Sequence, residues 1–497
     1  MTAEGADPPT RPRRLAGWPA STALATGSGL VAALGQAPWS LWPLSFLGYA
    51  ALILLAGRSP GQAGRIGWAF GTAYFLLALH WITEPFRVDA AIPDALGWVA
   101  LVLLALGLGL FPALALRLSV WTRAPMPLAA TGWLLAAEVV RMHLLTGFPW
   151  AAPGQALVAT PLLALAALGG PHLLDLVVLG TAALLAAGVR RPVAALPLPG
   201  LAALWLWGSS LASPEIVADA PTVRLVQPGT EQGDKWRPDL RDAAIERQIA
   251  LTEGPGTPTL TLWPETSLLY WLHESAFLLQ RIESASDGPV IVGANRWDGS
   301  HVFNAAALVG RDGALEAVYD KHHLVPFGEY VPLKGLADRI GLRGLAQVIG
   351  DGFTPGPGPA VLDVPGLGPV LPVICYEAVF PSSLRTPVRP RAIVQITNDA
   401  WFGLWAGPEQ HFAQARIRAA ESGLPLLRSA NTGITAVIDA RGRVVDRLAG
   451  RGPGRLDAPI PLALPPTPYV RWGDWPILGL LAVLLAGLIA RRIALRD

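Results

Sequence analysis

Val370-Leu371-Pro372-Val373-Ile374-Cys375-Tyr376-Glu377 decides the fold: an apolar run of strand length ends abruptly on the chain's only cysteine, with a carboxylate two residues on. Three other segments share the pattern. Thr259-Leu260-Thr261-Leu262-Trp263-Pro264 leads into Glu265, Ala317-Val318-Tyr319-Asp320 into Lys321, and Ile393-Val394-Gln395-Ile396-Thr397 into Asn398-Asp399. In layered α/β folds the ligand crevice lies beyond the strand ends. The pattern therefore predicts a carboxylate, an amine and a thiol converging at one rim of a sheet.

The surrounding sequence supports such a domain. Strands are expected at Thr222–Val226, Thr259–Trp263, Val290–Ala294, His301–Val309, Ala314–Tyr319, Val370–Ile374, Ala392–Thr397, Ile434–Asp439 and Val444–Leu448. Arg311-Asp312-Gly313 reads as a hairpin turn. Glu409–Ser422 reads as a helix stopped by Gly423.

The three groups define a chemistry. A thiolate is the nucleophilic form of cysteine, and a nearby cation such as Lys321 lowers the pKa that governs it. The same ammonium can face the oxyanion formed by attack on a carbonyl, with the Tyr376 backbone N–H as a second donor. Glu265 can take and return protons. Together they suit a two-step acyl transfer through a thioester. Taken singly, each has a plainer use: a cysteine after a strand packs, and a loop Glu or Lys is solvated.

Before residue 212 the chain is different. Hydrophobic residues make up 52% of the whole and charged residues only 15%. Just seven of the 36 acidic residues precede position 212. A bilayer core takes about 20 apolar helical residues to cross. Seven spans are expected, at 15–35, 38–57, 64–82, 93–116, 125–144, 160–188 and 192–211, with an eighth at Pro476–Ala490. A break at Gly169-Gly170-Pro171 is open within the sixth. Arg11, Arg13, Arg14, Arg58, Arg65, Arg117, Arg123, Arg190, Arg191, Arg491, Arg492 and Arg496 then share one side, which the positive-inside bias assigns to the cytoplasm. Glu138, Arg141, His143 and Asp175 fall within spans, either as mutual partners or as a proton or solute path. The expected organisation is a cytoplasmic tail (1–14), a seven-span domain (15–211), an extracytoplasmic catalytic domain (212–470), and a last span with its cytoplasmic tail (471–497).

The formal net charge of +2 gives no reason to invoke nucleic acid. One cysteine excludes an intrachain disulfide and a cysteine-rich metal site. The adjacent His322 and His323 point apart in an extended segment, so no metal is expected. Lysine is scarce: Lys235, Lys321 and Lys334 are the only ones.

The local motifs resemble the nitrilase superfamily, which uses a Glu-Lys-Cys triad on an αββα sandwich. They are Leu262-Trp263-Pro264-Glu265, Tyr319–Glu329, Ile374-Cys375-Tyr376-Glu377, Asn398-Asp399-Ala400-Trp401-Phe402-Gly403, and the helix carrying Gln410-His411 and Arg416. One membrane family of that superfamily is similar over nearly the whole chain: the apolipoprotein N-acyltransferases, with Gly147-Phe148-Pro149-Trp150 resembling a further signature. The resemblance implies eight spans and a nitrilase-like domain between the seventh and eighth. Glu265 would be general base, Lys321 oxyanion cation and Cys375 nucleophile, without any cofactor. It implies supporting roles for Trp236, Glu329, Tyr376 and Glu377. Asn304 would either brace the site or stabilise a turn, and Phe148 and Trp150 would line an apolar access route. It also implies a phospholipid acyl donor, a diacylated apolipoprotein acceptor, and a bacterial inner membrane with the catalytic domain on the periplasmic side. A membrane-anchored nitrilase-type amidase is the alternative, because water and amine attack the same thioester.

Overall fold

The computed structural model describes residues 18–88, 93–189, 198–332 and 352–495. The expected N-terminal tail, Arg190, Arg191, Arg496 and Lys334 lie outside them. Apolar helices come first: α1 (Trp18–Ala33), α2 (Trp42–Arg58), α3 (Ala63–Ala78), α4 (Pro85–Val88), α5 (Asp94–Leu108), α6 (Leu110–Trp121), α7 (Met126–His143), α8 (Ala166–Gly188) and α9 (Leu198–Ser210). Among the described residues three helices are long and apolar enough to cross a membrane: Asp94–Trp121, Pro161–Gly188 and Trp475–Ala494. A fourth is added if Pro60–Ala78 and His80–Val88, bent by 62°, form one span. The eight-span expectation thus exceeds what helix length supports. Hydropathy windows run through turns that end helices, such as the 3₁₀ turn His80–Thr83 after α3. The break in the sixth expected span is present: Gly169 and Gly170 leave helical geometry just before Pro171.

Of the ionisable groups expected within spans, Glu138 and Arg141 pair with each other, while the His143 ring lies 2.9 Å from the Val139 carbonyl oxygen. Arg141 pairs with Glu138 and donates to the Phe148 and Trp150 carbonyls at 2.5 and 2.7 Å. Asp175 accepts from the Gly154 N–H at 2.8 Å and faces His172 at 3.4 Å.

From residue 222 the chain forms two sheets. Strands β1 (Thr222–Gln227), β2 (Leu260–Leu262), β3 (Leu268–Trp271), β4 (Val290–Trp297), β5 (Val302–Val309), β6 (Leu315–Asp320) and β13 (Gly454–Pro459) form one, ordered β13-β1-β2-β4-β5-β6 with β3 also on β4. Strands β7 (Leu362–Val364), β8 (Gly368–Ile374), β9 (Ala392–Thr397), β10 (Leu426–Ala430), β11 (Ala436–Ile438) and β12 (Val444–Arg447) form the other, ordered β12-β11-β10-β9-β8-β7. Successive strand residues face opposite sides, so the core divides in three. Leu225, Leu262, Ile291 and Leu308 meet Val370, Ile374, Val394 and Leu427 between the sheets. Val226, Val292 and Val309 instead pack on α10 (Pro238–Thr252) and α11 (Ala276–Ser286). Leu371, Val373 and Ile393 pack on α12 (Ala406–Ser422). The result is the expected αββα sandwich. Helix α12 ends where Gly423 takes φ +67° and its N–H bonds to the Ala419 carbonyl. Beyond β13 come α13 (Pro468–Trp472) and α14 (Trp475–Ala494).

Topology then sets the rim. Strands β1, β2 and β4 run parallel, as do β8, β9 and β10. Strand β6 is antiparallel to β5, itself antiparallel to β4, so β6 also points the same way as β4. Glu265, Lys321, Cys375 and Asn398 therefore all follow C-terminal strand ends.

Candidate active site

Cys375 is the first residue after β8 and takes φ +49°, a left-handed conformation that a non-glycine residue adopts only at a cost of about 1–3 kcal/mol. Thr266, beside Glu265, and Phe327, between Lys321 and Glu329, share it at +48° and +63°. Backbone strain is thus stored at Cys375, beside Glu265, and in the segment between Lys321 and Glu329. The Glu265 turn fits because β4 carries Gly293 beneath it: a Cβ there would lie 2.3 Å from the Pro264 carbonyl oxygen and 2.7 Å from Glu265 Cα.

The polar side chains form one connected set. Lys321 Nζ, buried, donates to Glu329 Oε1 at 2.9 Å and to Glu265 Oε1 at 3.4 Å. Asn304, opposite on β5, donates from Nδ2 to Glu265 Oε1 at 2.7 Å and to Glu329 Oε1 at 3.0 Å. It is a bridge between carboxylates and not a turn residue. The remaining carboxylate oxygens accept backbone N–H groups, Glu265 Oε2 from Asn398 at 2.9 Å and Glu329 Oε2 from Val325 at 2.8 Å. Burial opposes the Lys321 ammonium, but Glu329 and Glu265 outweigh it and hold its pKa above the ordinary lysine value.

The thiol departs from expectation. Burial, and then the Glu265 carboxylate, push the Cys375 pKa well up; Lys321 and a hydrogen bond with Thr397 only partly oppose this. The Lys321 ammonium is shared by two carboxylates, which offsets its pull on the thiol.

Glu377 sits in the same turn as Cys375. Fully buried, it accepts from the N–H of Ile374 at 2.7 Å, from that of His322 at 2.8 Å, and from the Tyr319 hydroxyl at 2.9 Å. It pins the segment after Lys321 to the turn that carries Cys375. Although burial raises its pKa, the His322 ring, 2.6 Å away, and those N–H groups bring it below the ordinary value. Tyr376 is buried with its ring roughly parallel to Trp150, centroids 6.4 Å apart. Trp150 is itself fully enclosed, so it is a packing element and not the wall of an open access route; Phe148, half-buried, sits at its edge. Trp236 is 50% exposed, next to Lys235.

Three features carried no predicted role. Buried Lys235 donates to the Glu265 carbonyl at 3.2 Å, and burial lowers its pKa to about 8; the scarcity of lysine was its only signal. Asp399, after β9, receives Arg428 at 2.5 Å and faces His411 Nδ1 at 2.8 Å, while His411 Nε2 lies 3.0 Å from the Cys375 carbonyl oxygen. Burial opposes the Asp399 carboxylate, yet Arg428 and His411 hold its pKa well below the carboxylate range. Gln410, beside His411, bonds to the helical half. Arg416 serves elsewhere, donating to the Gly442 carbonyl at the β11–β12 turn.

An αββα sandwich with Glu, Lys and Cys at one rim defines a carbon-nitrogen-hydrolase domain, and residues 259–464 match the family model described as carbon-nitrogen hydrolase. Residues 28–184 match the apolipoprotein N-acyltransferase N-terminal domain. Apolipoprotein N-acyltransferase of Bradyrhizobium diazoefficiens is 38% identical, over 97% of this chain and 96% of its own length. Those of Rhodopseudomonas palustris and Caulobacter vibrioides are 34% and 36% identical, over 96% and 95% of this chain and 96% and 94% of theirs. The chain belongs to the apolipoprotein N-acyltransferase family.

Proposed function

We propose that the protein moves a fatty acyl chain from a membrane glycerophospholipid to the N-terminal α-amine of the diacylglyceryl-cysteine of an apolipoprotein, through a thioester on Cys375. The observation that carries the catalytic roles is the shared network in which Asn304 and Lys321 both bond Glu265 and Glu329, at the strand ends that also present Cys375.

Burial raises the Cys375 pKa and favours the thiol, so attack is coupled to proton removal. Glu265 takes the Sγ proton as Sγ bonds to the ester carbonyl carbon. Charge develops on the carbonyl oxygen, which the Lys321 ammonium faces. The C–O bond then breaks, and Glu265 returns the proton to the departing lysophospholipid hydroxyl. In the second half the lipoprotein amine attacks the thioester and gives its proton to Glu265. The C–S bond breaks, and the thiolate recovers that proton. Glu329 keeps Lys321 charged and oriented throughout, and Trp236 covers the approach.

Eight crossings with the N-terminus in the cytoplasm put residues 212–470 on the periplasmic side of the bacterial inner membrane, with 15–211 and 471–497 as the membrane portions. Ester lipids border that compartment. Both substrates stay near the bilayer because each CH₂ exposed to water costs about 0.8 kcal/mol.

Purified protein given acyl-labelled phospholipid and a diacylated lipopeptide should yield label in an amide at the peptide's N-terminus, with one lysophospholipid released per transfer. Label released only as free fatty acid, or ammonia liberated from small amides at enzymatic rates, would instead support the amidase reading.

A further inference from the structure

Gln410 lies one turn into α12, is almost fully buried, and uses its whole hydrogen-bonding capacity on the helical half of the chain. Its Oε1 accepts from the indole N–H of Trp81 at 3.0 Å and of Trp150 at 2.7 Å. Its Nε2 donates to the carbonyls of Ala37 and Ala78, both at 2.9 Å. An amide has two acceptor lone pairs and two donors, and all four are engaged. Indole nitrogens only donate and carbonyls only accept, so the amide has one satisfied orientation. The four partners come from separate segments: one after α1, the end of α3, the turn after α3, and the loop between α7 and α8.

The next residue faces the other way. His411 reaches the Cys375 carbonyl through Nε2 and Asp399 through Nδ1, with Arg428 on the far oxygen of Asp399. Thr397, which bonds the Cys375 side chain, also donates to Asp399 at 3.0 Å. Trp150 adds a second link, its ring packing on both His411 and Tyr376 while its N–H holds Gln410.

We propose that Gln410 is a positioning residue: it locks α12 to the helical half of the chain and, through His411, holds the Cys375 backbone in its strained attacking conformation. The membrane portion is then a structural component of the nucleophile's site and not only an anchor or a lipid conduit. The inference rests on Cys375 being the acyl acceptor. The Cys375 carbonyl accepts from Gln395 Nε2 at 3.4 Å and lies 3.0 Å from His411 Nε2, with the Gln395 and His411 nitrogens 3.3 Å apart, and His411 is held in register by its neighbour. Without the Gln410 bonds α12 loses four polar ties to a fixed frame, and Cys375 relaxes away from Glu265 and Lys321.

The test uses full-length protein in detergent and two readouts on Gln410→Leu. One is single-turnover transfer of label from acyl-labelled phospholipid to Cys375. The other is the pH profile of Cys375 alkylation by iodoacetamide, which needs no lipid. A displaced nucleophile should acylate about 10- to 100-fold more slowly. Its alkylation midpoint should fall toward that of an ordinary cysteine, because it leaves the buried site beside Glu265. A purely structural role would reduce the folded fraction and leave both readouts unchanged per folded molecule. Acylation within about twofold of wild type, with superimposable alkylation profiles, overturns the proposal. Should Gln410→Leu not fold, Trp81→Phe removes one of the four bonds, keeps a ring in place, and should move both readouts in the same directions by less. A cycle with His411→Asn should be non-additive, since Gln410 acts through His411; additive losses also overturn the proposal. Wild-type protein that takes no label would defeat the functional reading, while the alkylation comparison would still judge Gln410.

Discussion

Replacing Glu377 by Gln changes one atom in a fully enclosed carboxylate and should cost both stability and activity. One oxygen accepts the His322 N–H at 2.8 Å and lies 2.6 Å from the His322 ring; the other accepts the Ile374 N–H at 2.7 Å; the Tyr319 hydroxyl reaches both. A glutamine has one acceptor oxygen, so its NH₂ must confront a donor on one side. Losing one partner of a buried, hydrogen-bonded charge costs about 3–5 kcal/mol. For a domain of this size about 1 kcal/mol moves Tm by about 2–4 °C, so the midpoint should fall by about 6–20 °C. The pH dependence has a definite sign. Its folded pKa is below the ordinary 4.5, so the stability Glu377 contributes is complete above about pH 4.5 and is lost as pH falls through the folded value. The gap between wild type and variant should therefore close as pH falls below about pH 4.5. Thermal unfolding across that range, paired with single-turnover acylation, measures it. A Tm within about 2 °C of wild type at pH 7, with acylation intact, would refute the view that Glu377 pins the Lys321 segment to the Cys375 turn.

Other substitutions probe the rest of the site. Lys321→Arg keeps the charge but puts a larger planar fork into a buried point-contact site; acylation should fall by about 10²–10³-fold, and a near-normal rate would exclude a close ammonium–oxyanion contact. Asn304→Leu removes the amide shared by Glu265 and Glu329, each loss being worth about 1.5–3 kcal/mol; the acylation rate should drop by at least about tenfold, and a change below about twofold would make Asn304 a bystander. Gly293→Ala drives a methyl into the Pro264 carbonyl and the Glu265 backbone. It should lower the urea midpoint by an amount worth about 1–3 kcal/mol and slow acylation with it. A neutral result would mean that the Glu265 turn has room to move.

Glu265, Lys321 and Cys375 were legible because each ends an apolar run; β2 and β6 point the same way in one sheet, β8 and β9 in the other, and the Asn398 N–H bond to Glu265 joins the two rims. Strand β10 was not. It contains Arg428 and no β-branched residue, and the arginine is enclosed only because Asp399, distant in sequence, neutralises it. Edge strand β13 carries Arg455, Asp457 and Pro459, and pairs with β1 partly through the Arg224–Asp457 ion pair. Neither partner could be named from local pattern. Gln410 was equally silent, since a glutamine on a helix is ordinarily solvated; its meaning lies in four partners more than 250 residues away. In the membrane half mean hydropathy continues through turns and glycine breaks, so among the described residues three helices, or four with the bent pair, are long and apolar enough to cross. The thiol's state also depended on three-dimensional context: the cation was expected, but its two carboxylate partners came from other strand ends and loops.

Cys375 is proposed to carry the acyl chain between donor and acceptor. Full-length protein incubated with acyl-labelled phospholipid, quenched in acid and digested, should give one labelled peptide containing Cys375, with the label released by neutral hydroxylamine as a thioester. Adding a diacylated lipopeptide before the quench should discharge it. Label on any other residue, or transfer to the lipopeptide that persists in Cys375→Ala, would contradict the account.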